Sequence, residues 1–569
     1  MIKMIEKASS KKRFPNIKEF KKIIIVGGSI ISLAIVGIIS GIIIMGEIPQ
    51  GGILKVGITK PIGEIDPLMY SFSSEEIVIN HVTETLFDNI YIGGKSQTLP
   101  HLALDGNWSS DYLNFTCTLR KNVMFHDGTP FNAAAVKWNF DRITQIIDSS
   151  LLSWYLWGYL FFLPDGRWIV NKTLVLDSHI VKFVLNDVFV PFRELLTHST
   201  TSILSPSSTP ADKPLNTHID NLVGTGPFIY DGYEPNVNMS LSPNQDYWGT
   251  KPEIDKVILK FYSPTNDTNR INILWNALLA GEIHIVDRDF IKFLIRFYPE
   301  RSIELLKGVA GITVQQKPTI SYFYVFFYPK LINSTMRKAI SYAINYSNIL
   351  EIVPNSITAR SPIPEGIPYS NITGIDIPYY NISKARQMLI DEGWPGTAGL
   401  TANDNITAGN EWEQLVTNGF PLAIYNLSYY PGNPYNELPP IPFPENLKQL
   451  GVNVSCQPIW SGAPSQLETL MWMYDYNDPH TGMLDYHSKW TLWTDFNVSV
   501  LDELIEEGIK ETNPVLREAI YYNIQKLIIE EICPVIFTLS PRNLDIYASN
   551  LIGWQIYPFK IVFKTVYFV

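Results

Sequence analysis

An uncharged apolar run from Ile23 to Met45 constrains this chain more than any other feature, because it decides on which side of a membrane the remainder folds. As a helix rising about 1.5 Å per residue, the run spans roughly 34 Å, enough to cross a bilayer with slight tilt. Lys3, Lys7, Lys11, Lys12, Arg13, Lys18, Lys21 and Lys22 precede it. Such a basic flank stays in the cytoplasm. Residues 1–22 then form a cytoplasmic basic segment, 23–45 a single-pass transmembrane anchor, and everything after Glu47 lies outside the cell. A cleaved signal peptide is the competing reading. Its apolar core is usually only about 7–15 residues, and no small-x-small cleavage site follows here. No cysteine near the end of the run could carry a lipid.

Acceptor sequons for N-glycosylation agree with this address. Asn107, Asn114, Asn171, Asn238, Asn266, Asn333, Asn345, Asn371, Asn381, Asn405, Asn426, Asn453 and Asn497 all follow the run and none precedes it. Sequons matter only where glycosylation machinery can reach them. An Asn- and Ser/Thr-rich chain also makes some by chance, so several are expected to be unused. At 569 residues the chain is too long for one core and should divide into two to four domains or lobes. Its net charge of -11, with no basic run beyond the amino terminus, argues against nucleic-acid binding. Cys117, Cys456 and Cys533 leave one over from any disulfide; Cys117 and Cys456 are a conceivable pair. No cysteine or histidine spacing suits zinc.

Along the exterior chain, Ile53 to Ile58 alternates as a strand, and Ser74-Glu75-Glu76 opens an amphipathic helix. Asn132 is a candidate cap for the helix through Val136, Phe140 and Ile143, and Asn513 for one beginning at Pro514. From about Gly396 to Glu445 the chain reads as irregular loops around one strand, Pro421 to Tyr425. Pro534 to Leu539 reads as a late strand returning to the first part of the fold.

The stretch Met471 to His480 carries the chemistry. It begins as an apolar strand and breaks at Asn477, Asp478 and Pro479, which favour turns. Asp475 falls where the strand gives out, with Trp472, Tyr474 and Tyr476 beside it. An anion among aromatic rings can seat a small cationic or polyhydroxy ligand. The plainer reading is a surface loop whose aspartates bond their own backbone. A hydrolase would need paired carboxylates, for which Asp475, Asp478 and Asp485 are candidates. Taken bare, His126-Asp127 has the residues of a catalytic dyad, but neighbours on a turn rarely converge, and His126 reads as structural. Gly224 and Gly226 lack the strand–loop–helix setting of a phosphate loop. His480 and His487 are not at a persuasive metal spacing.

Several runs resemble one family. His126-Asp127-Gly128-Thr129-Pro130 with the helix ending Phe140-Asp141-Arg142, the turn Gly224-Thr225-Gly226-Pro227-Phe228, Asn244-Gln-Asp-Tyr247-Trp248 and the helix Arg337-Lys-Ala-Ile-Ser-Tyr-Ala-Ile344 occur in order. Together they resemble the extracytoplasmic solute-binding proteins of peptide, nickel and oligosaccharide ABC importers, family 5. The resemblance implies an α/β periplasmic-binding-protein-like fold of two lobes (type II, the large peptide-binding class) with an extra subdomain, here preceded by the transmembrane helix. Residues 53–90, 223–311 and 532–569 would form lobe I, 91–222 a subdomain packed on it, and 312–531 lobe II. The implied function is that of a membrane-anchored extracellular glycoprotein. It would capture oligopeptides or similar solutes between its lobes and deliver them to an ABC permease. It would act as a monomer, without catalysis, metal, cofactor or nucleic acid. An oligosaccharide receptor is the alternative, and a carbohydrate-active hydrolase a more distant one. In peptide-binding relatives an aspartate in a Trp-x-x-Asp-Tyr-Asn-x-Pro-like loop holds the ligand's α-ammonium. That pattern falls on Trp472, Asp475, Tyr476 and Asn477, with Asp475 as the principal contact. No motif locates a group for the ligand's other end; Arg360 is a guess. Trp490 and Trp493 could line the pocket or fill the lobe.

Overall fold

The computed structural model describes residues 51–569 except 72, 93–94, 150–156, 218–219, 263–266, 288–289, 291–305, 354, 432–440, 460–464, 491–496 and 543. The expected anchor at 23–45, the basic segment before it, Asn266 and Trp493 lie outside the described residues. Among the described residues no helix is long and apolar enough to cross a membrane.

Two mixed sheets organise the chain. The first has seven strands, in the order Ile312–Gln316, Leu544–Ala548, Ile285–Val286, Ile53–Ile58, Lys256–Phe261, Asn238–Pro243 and Phe228–Glu234. Ile53–Ile58 lies at its centre, parallel to its neighbours on both sides, and Leu54, Val56 and Ile58 are buried as the alternation predicts. The second has six strands, in the order Ser356–Ile357, Val535–Pro541, Ser321–Phe327, Leu467–Met473, Ala423–Tyr429 and Val452–Pro458. All seven residues of Ser321–Phe327 are buried. The period of two explains this: Tyr322, Tyr324 and Phe326 enter one apolar core, while Phe323, Val325 and Phe327 enter another on the opposite face. A strand covered on both faces reads as an unbroken apolar run.

Chain passes between the sheets twice. Ile312–Gln316 pairs with Leu544–Ala548 in the first sheet, and Ser321–Phe327 pairs with Val535–Pro541 in the second. Both crossings therefore lie in two adjacent antiparallel segments, 317–320 and the stretch between Pro541 and Leu544. This moves the expected lobe boundaries. Ile312–Gln316 stays with the first sheet, and Val535–Pro541, expected in lobe I from residue 532, is the second strand of the six in the other sheet. An apolar strand carries no mark of the sheet it will join; the proline that ends it does more, since Pro541 has no N–H to continue the ladder.

The subdomain is a four-stranded antiparallel sheet, Ala103–Trp108, Asn114–Leu119, Ile180–Leu185 and Val170–Asp177, carrying the helix Ala133–Ser149. Asn132 caps that helix, its Oδ1 accepting from Ala135 N at 3.0 Å, and Asn513 likewise caps Pro514–Lys526. The subdomain reaches both lobes. Trp157 Nε1 donates to Tyr70 O at 2.9 Å in the first, and Val190 N donates to Ile509 O at 2.9 Å in the second. The Gly396–Glu445 region, expected to hold one strand, also holds a short helix, Glu411–Thr417, where Asn410 accepts from the backbone N–H of Trp412 and Glu413 and buries the Trp412 ring. All three cysteines are free, so Cys117 and Cys456 do not pair.

Candidate functional site

The strand Leu467–Met473 runs antiparallel to Ser321–Phe327, with Met473 opposite Ser321. Past that point Tyr474 N still donates to Ile320 O at 3.0 Å, and then the pairing stops. Asp478 turns the chain: its Oδ1 accepts from His480 N at 3.0 Å, and both its carboxylate oxygens bind Arg517, at 2.6 and 3.0 Å. This buried bidentate pair fixes the loop to the helix Pro514–Lys526. Tyr474 is fixed too. Its hydroxyl donates to Pro362 O at 2.7 Å, and its ring lies against Gly482, where a Cβ would overlap it.

Alternation decides which side chains of this stretch reach open space. Met471, Met473 and Asp475, with Tyr474 between them, line a cavity of about 370 Å³. Trp472 faces the opposite way, half-buried against the core, its ring edge-on to Tyr159 at 6.5 Å. Tyr476 is fully buried and hydrogen-bonds His480 Nδ1 at 2.6 Å; burial lowers the pKa of His480 to about 3, so it is neutral. Asn477 is buried, its Nδ2 donating to Ser96 O at 3.3 Å. Of the four residues singled out in the sequence, Asp475 lines the cavity, and Trp472, Tyr476 and Asn477 stand behind it. Alternation turns Trp472 to the other face of the strand, while Tyr476 and Asn477 lie past the strand's end at Met473, in the turn that carries them away from the cavity.

Asp475 is the chemically distinctive group. It is 9% exposed, and burial pushes its carboxyl up to about 7. The Tyr159 hydroxyl donates to its Oδ2 at 2.9 Å, across from the subdomain. Asp478 and Asp485, the other candidate acids, are not among the lining residues. Asp478 is taken by Arg517, and Asp485 accepts from the Tyr324 hydroxyl at 3.0 Å. The opposite wall comes from the first lobe and the subdomain. Tyr70 and Trp157 stack there at 4.9 Å, with His198 beside them. Lys60, Arg542 and Lys560 bring positive charge to the same cavity. Arg360 lies elsewhere, in a separate crevice with Ser341 and Tyr346, and Trp490 packs near Phe162. Arg542 had no sequence signal, because only the crossing between sheets brings it to the cavity.

The other motifs are structural. His126 N donates to Gly224 O, and His126 Nε2 lies 2.9 Å from Gly226 O, so the His-Asp turn and the glycine turn clasp each other. Asp127 accepts from Ser205, Ser208 and Thr129, which satisfies the carboxylate as a local cap. Among the described residues no group of three or more His, Cys, Asp or Glu could hold a metal.

Two lobes joined by paired crossing strands, with a carboxylate-bearing cavity between them, are the architecture of a solute receptor. The sequence pattern of the bacterial extracellular solute-binding proteins, family 5 (middle region), matches residues 97–492. The chain belongs to that family. The probable D,D-dipeptide-binding periplasmic protein DdpA of Escherichia coli K12 is 24% identical over 462 residues, covering 77% of this chain and 79% of the relative. Among solved structures, the ABC transporter-associated periplasmic binding protein DppA of Helicobacter pylori, in complex with the peptide STSA, superimposes with a TM-score of 0.66 at 20% identity, covering 91% of this chain and 98% of that one. The dipeptide-binding protein of a Pseudoalteromonas species, in complex with Met-Leu, gives 0.68 at 19% identity over 91% of this chain and all of that one. At these identities the superpositions speak to the two-lobed α/β fold. The family assigns the chain to extracellular solute binding rather than to catalysis.

Proposed function

We propose that this chain captures short peptides in the inter-lobe cavity and delivers them to an ABC permease as a membrane-tethered receptor. The observation that carries the reading is Asp475, a buried carboxyl on the cavity wall. With its pKa raised to about 7, it is expensive to ionise until a cation arrives. A peptide α-ammonium is such a cation. The peptide complexes of the relatives named above support the same choice of ligand. Trp472, Tyr476 and Asn477 serve this site from behind, holding the loop in place.

The test is calorimetry on the full-length chain in detergent, with a peptide pool and an oligosaccharide pool. Peptide binding is expected, and Asp475→Ala should weaken it by about 1.5–3 kcal/mol, the worth of a hydrogen bond to a charged group. Unchanged peptide affinity would remove Asp475 from the site, and uptake of sugars alone would replace the ligand class. The tether at 23–45 predicts that the protein stays with the membrane fraction through carbonate extraction, and the monomer reading predicts a single-chain mass in detergent. Sequon use is a further part of the reading. Every sequon asparagine among the described residues is at least partly exposed, with Asn107, Asn171, Asn333, Asn371, Asn405, Asn453 and Asn497 the most accessible.

A further inference from the structure

The hairpin of Phe87–Ile92 and Lys95–Pro100 is a two-stranded sheet of its own, and it reaches the cavity wall through Asp88 and Asn89. Among the described residues Lys95–Pro100 pairs with no second strand, so alternate backbone groups along its outer edge face away from the hairpin. Side chains cap that edge instead. Asn477 Nδ2, from the loop that carries Asp475, donates to Ser96 O at 3.3 Å. Arg193 Nη2, from the subdomain helix Phe192–Leu195, donates to Thr98 O at 3.3 Å. Ser96 and Thr98 are two residues apart, so their carbonyls point the same way.

Ser96 joins the loop to the cavity wall. Its carbonyl holds Asn477, and its hydroxyl donates to Asn89 Oδ1 at 2.5 Å. Each of the two amides is thus fixed to Ser96 by one end, with its other end left over. Asn89 Nδ2 is a buried donor without a partner, and Asn477 Oδ1 is a buried acceptor without one; the residues are 4% and 8% exposed. Thr98 Oγ1, on the residue opposite Asn89 in the hairpin, is buried and unpartnered as well. A buried polar atom without a partner is costly. A spare donor and a spare acceptor about one serine satisfy each other, directly or over one water that Thr98 also holds.

We propose that Asn89, Ser96 and Asn477 form a latch between the second lobe and the hairpin, and that it completes when a solute is captured. Asn477 stands two residues after Asp475 and moves with it. A cation drawn onto Asp475 settles the loop against the hairpin, and Asn89 Nδ2 then donates to Asn477 Oδ1. Parting the lobes breaks these bonds, so they belong to the closed form alone. A bond of that kind raises the apparent affinity by the factor by which it favours closure, without touching the solute. Asn89 and Asn477 are then positioning residues for capture. The inference rests on capture at Asp475 as read above and extends it to how the captured state is held.

Calorimetry on the full-length chain in detergent tests it, with a pool of di- and tripeptides as the probe and Asn89→Ala, Asn477→Ala and the double variant beside the parent. Each single change should weaken binding by about two- to tenfold, as the loss of a hydrogen bond between neutral groups does. The double variant should bind no more weakly than the weaker single, because both changes break the same bond. Stopped-flow fluorescence should place the loss in faster release, with the rate of capture unchanged. Ser96→Ala alters neither the Asp475 loop nor the cavity lining. It should weaken binding to a similar degree and merge with Asn89→Ala, which keeps the cycle intact if Asn477→Ala unfolds the loop. Losses that add would mean that Asn89 touches the solute rather than Asn477. Unchanged affinity in the single variants would mean that the seam holds alike with and without solute, and slower capture with unchanged release would mean that it guides entry. Any of these overturns the latch, while peptide binding by the parent upholds the reading it rests on. A parent that binds no peptide brings down both.

Discussion

At the scale of single residues, the peptide reading makes the site pH-dependent. The Asp475 carboxyl ordinarily titrates near 3.8, and burial pushes it to about 7. The folded, empty chain therefore holds a proton there that the unfolded chain releases. This group makes the empty chain less stable as pH rises from about 4 to about 7. Binding has the opposite sign. An ammonium needs the carboxylate, so below about 7 each binding event must release that proton, and affinity should climb up to about tenfold per pH unit. Above about 8 a free peptide loses its own ammonium proton, which bounds the optimum from the other side. Calorimetry at pH 5.5, 6.5 and 7.5 in two buffers of different ionisation enthalpy reads the proton count directly. A flat affinity with no proton release below pH 7 would mean that the captured cation does not sit on Asp475. The residue itself was legible in the sequence because it stands at the end of an apolar strand before a turn. Arg542 was not. Its neighbours in sequence carry no motif, and its place on the cavity wall depends on a crossing between sheets that brings residues near 320, 475 and 542 together.

At the scale of elements, the strand Leu467–Met473 and the short helix His480–Leu484 after it act as one mount for the site. The strand could be read from its sequence. Which of its side chains would face the cavity could not, because the phase of a two-residue repeat is set by the register with Ser321–Phe327, and a slip of one residue would exchange the faces. Helix capping was more legible: Asn132 and Asn513 act locally and need no knowledge of the rest of the fold. The mount has a tight point. Gly482 leaves no room for a Cβ beside Tyr474, whose hydroxyl is committed to Pro362 O and which directly precedes Asp475 on the cavity wall. Gly482→Ala should displace that ring and cost about 1–3 kcal/mol of stability, as overpacking does. It should weaken ligand binding at the same time. Because the clash is with one side chain, the cost should shrink on a Tyr474→Ala background, and denaturant titration of the four variants would expose that coupling. A cost that is unchanged without Tyr474 would place the strain elsewhere.

At the scale of the whole chain, function depends on the balance between open and closed lobes. The family resemblance made two lobes and a subdomain legible. The exact crossings were not, because continuous apolar strands such as Val535–Pro541 look the same whichever sheet receives them. Part of what ties the subdomain to the second lobe passes through the ligand site. The Tyr159 hydroxyl, from the subdomain, donates to Asp475 on the second lobe, where a ligand's ammonium would also bind. Other ties are independent of ligand: Val190 N to Ile509 O, Lys510 to Asp187 at 3.1 Å, and the Phe189 ring edge-on to His480 at 4.8 Å. Tyr159→Phe removes only the tie through the site. In the empty chain the Asp475 carboxyl holds its proton below about pH 7, and a hydrogen bond between neutral groups is worth about 0.5–1.5 kcal/mol, so the empty chain should shift toward open by about two- to tenfold. Ligand restores the bridge by pairing with Asp475 directly, and the liganded variant should close as the parent does. Small-angle scattering should then show a larger radius of gyration for empty Tyr159→Phe than for the empty parent, with the two indistinguishable once a binding peptide is added. If the empty variant scatters like the parent, the apolar contacts alone hold the lobes together, and occupancy of Asp475 is not what the lobe angle reports.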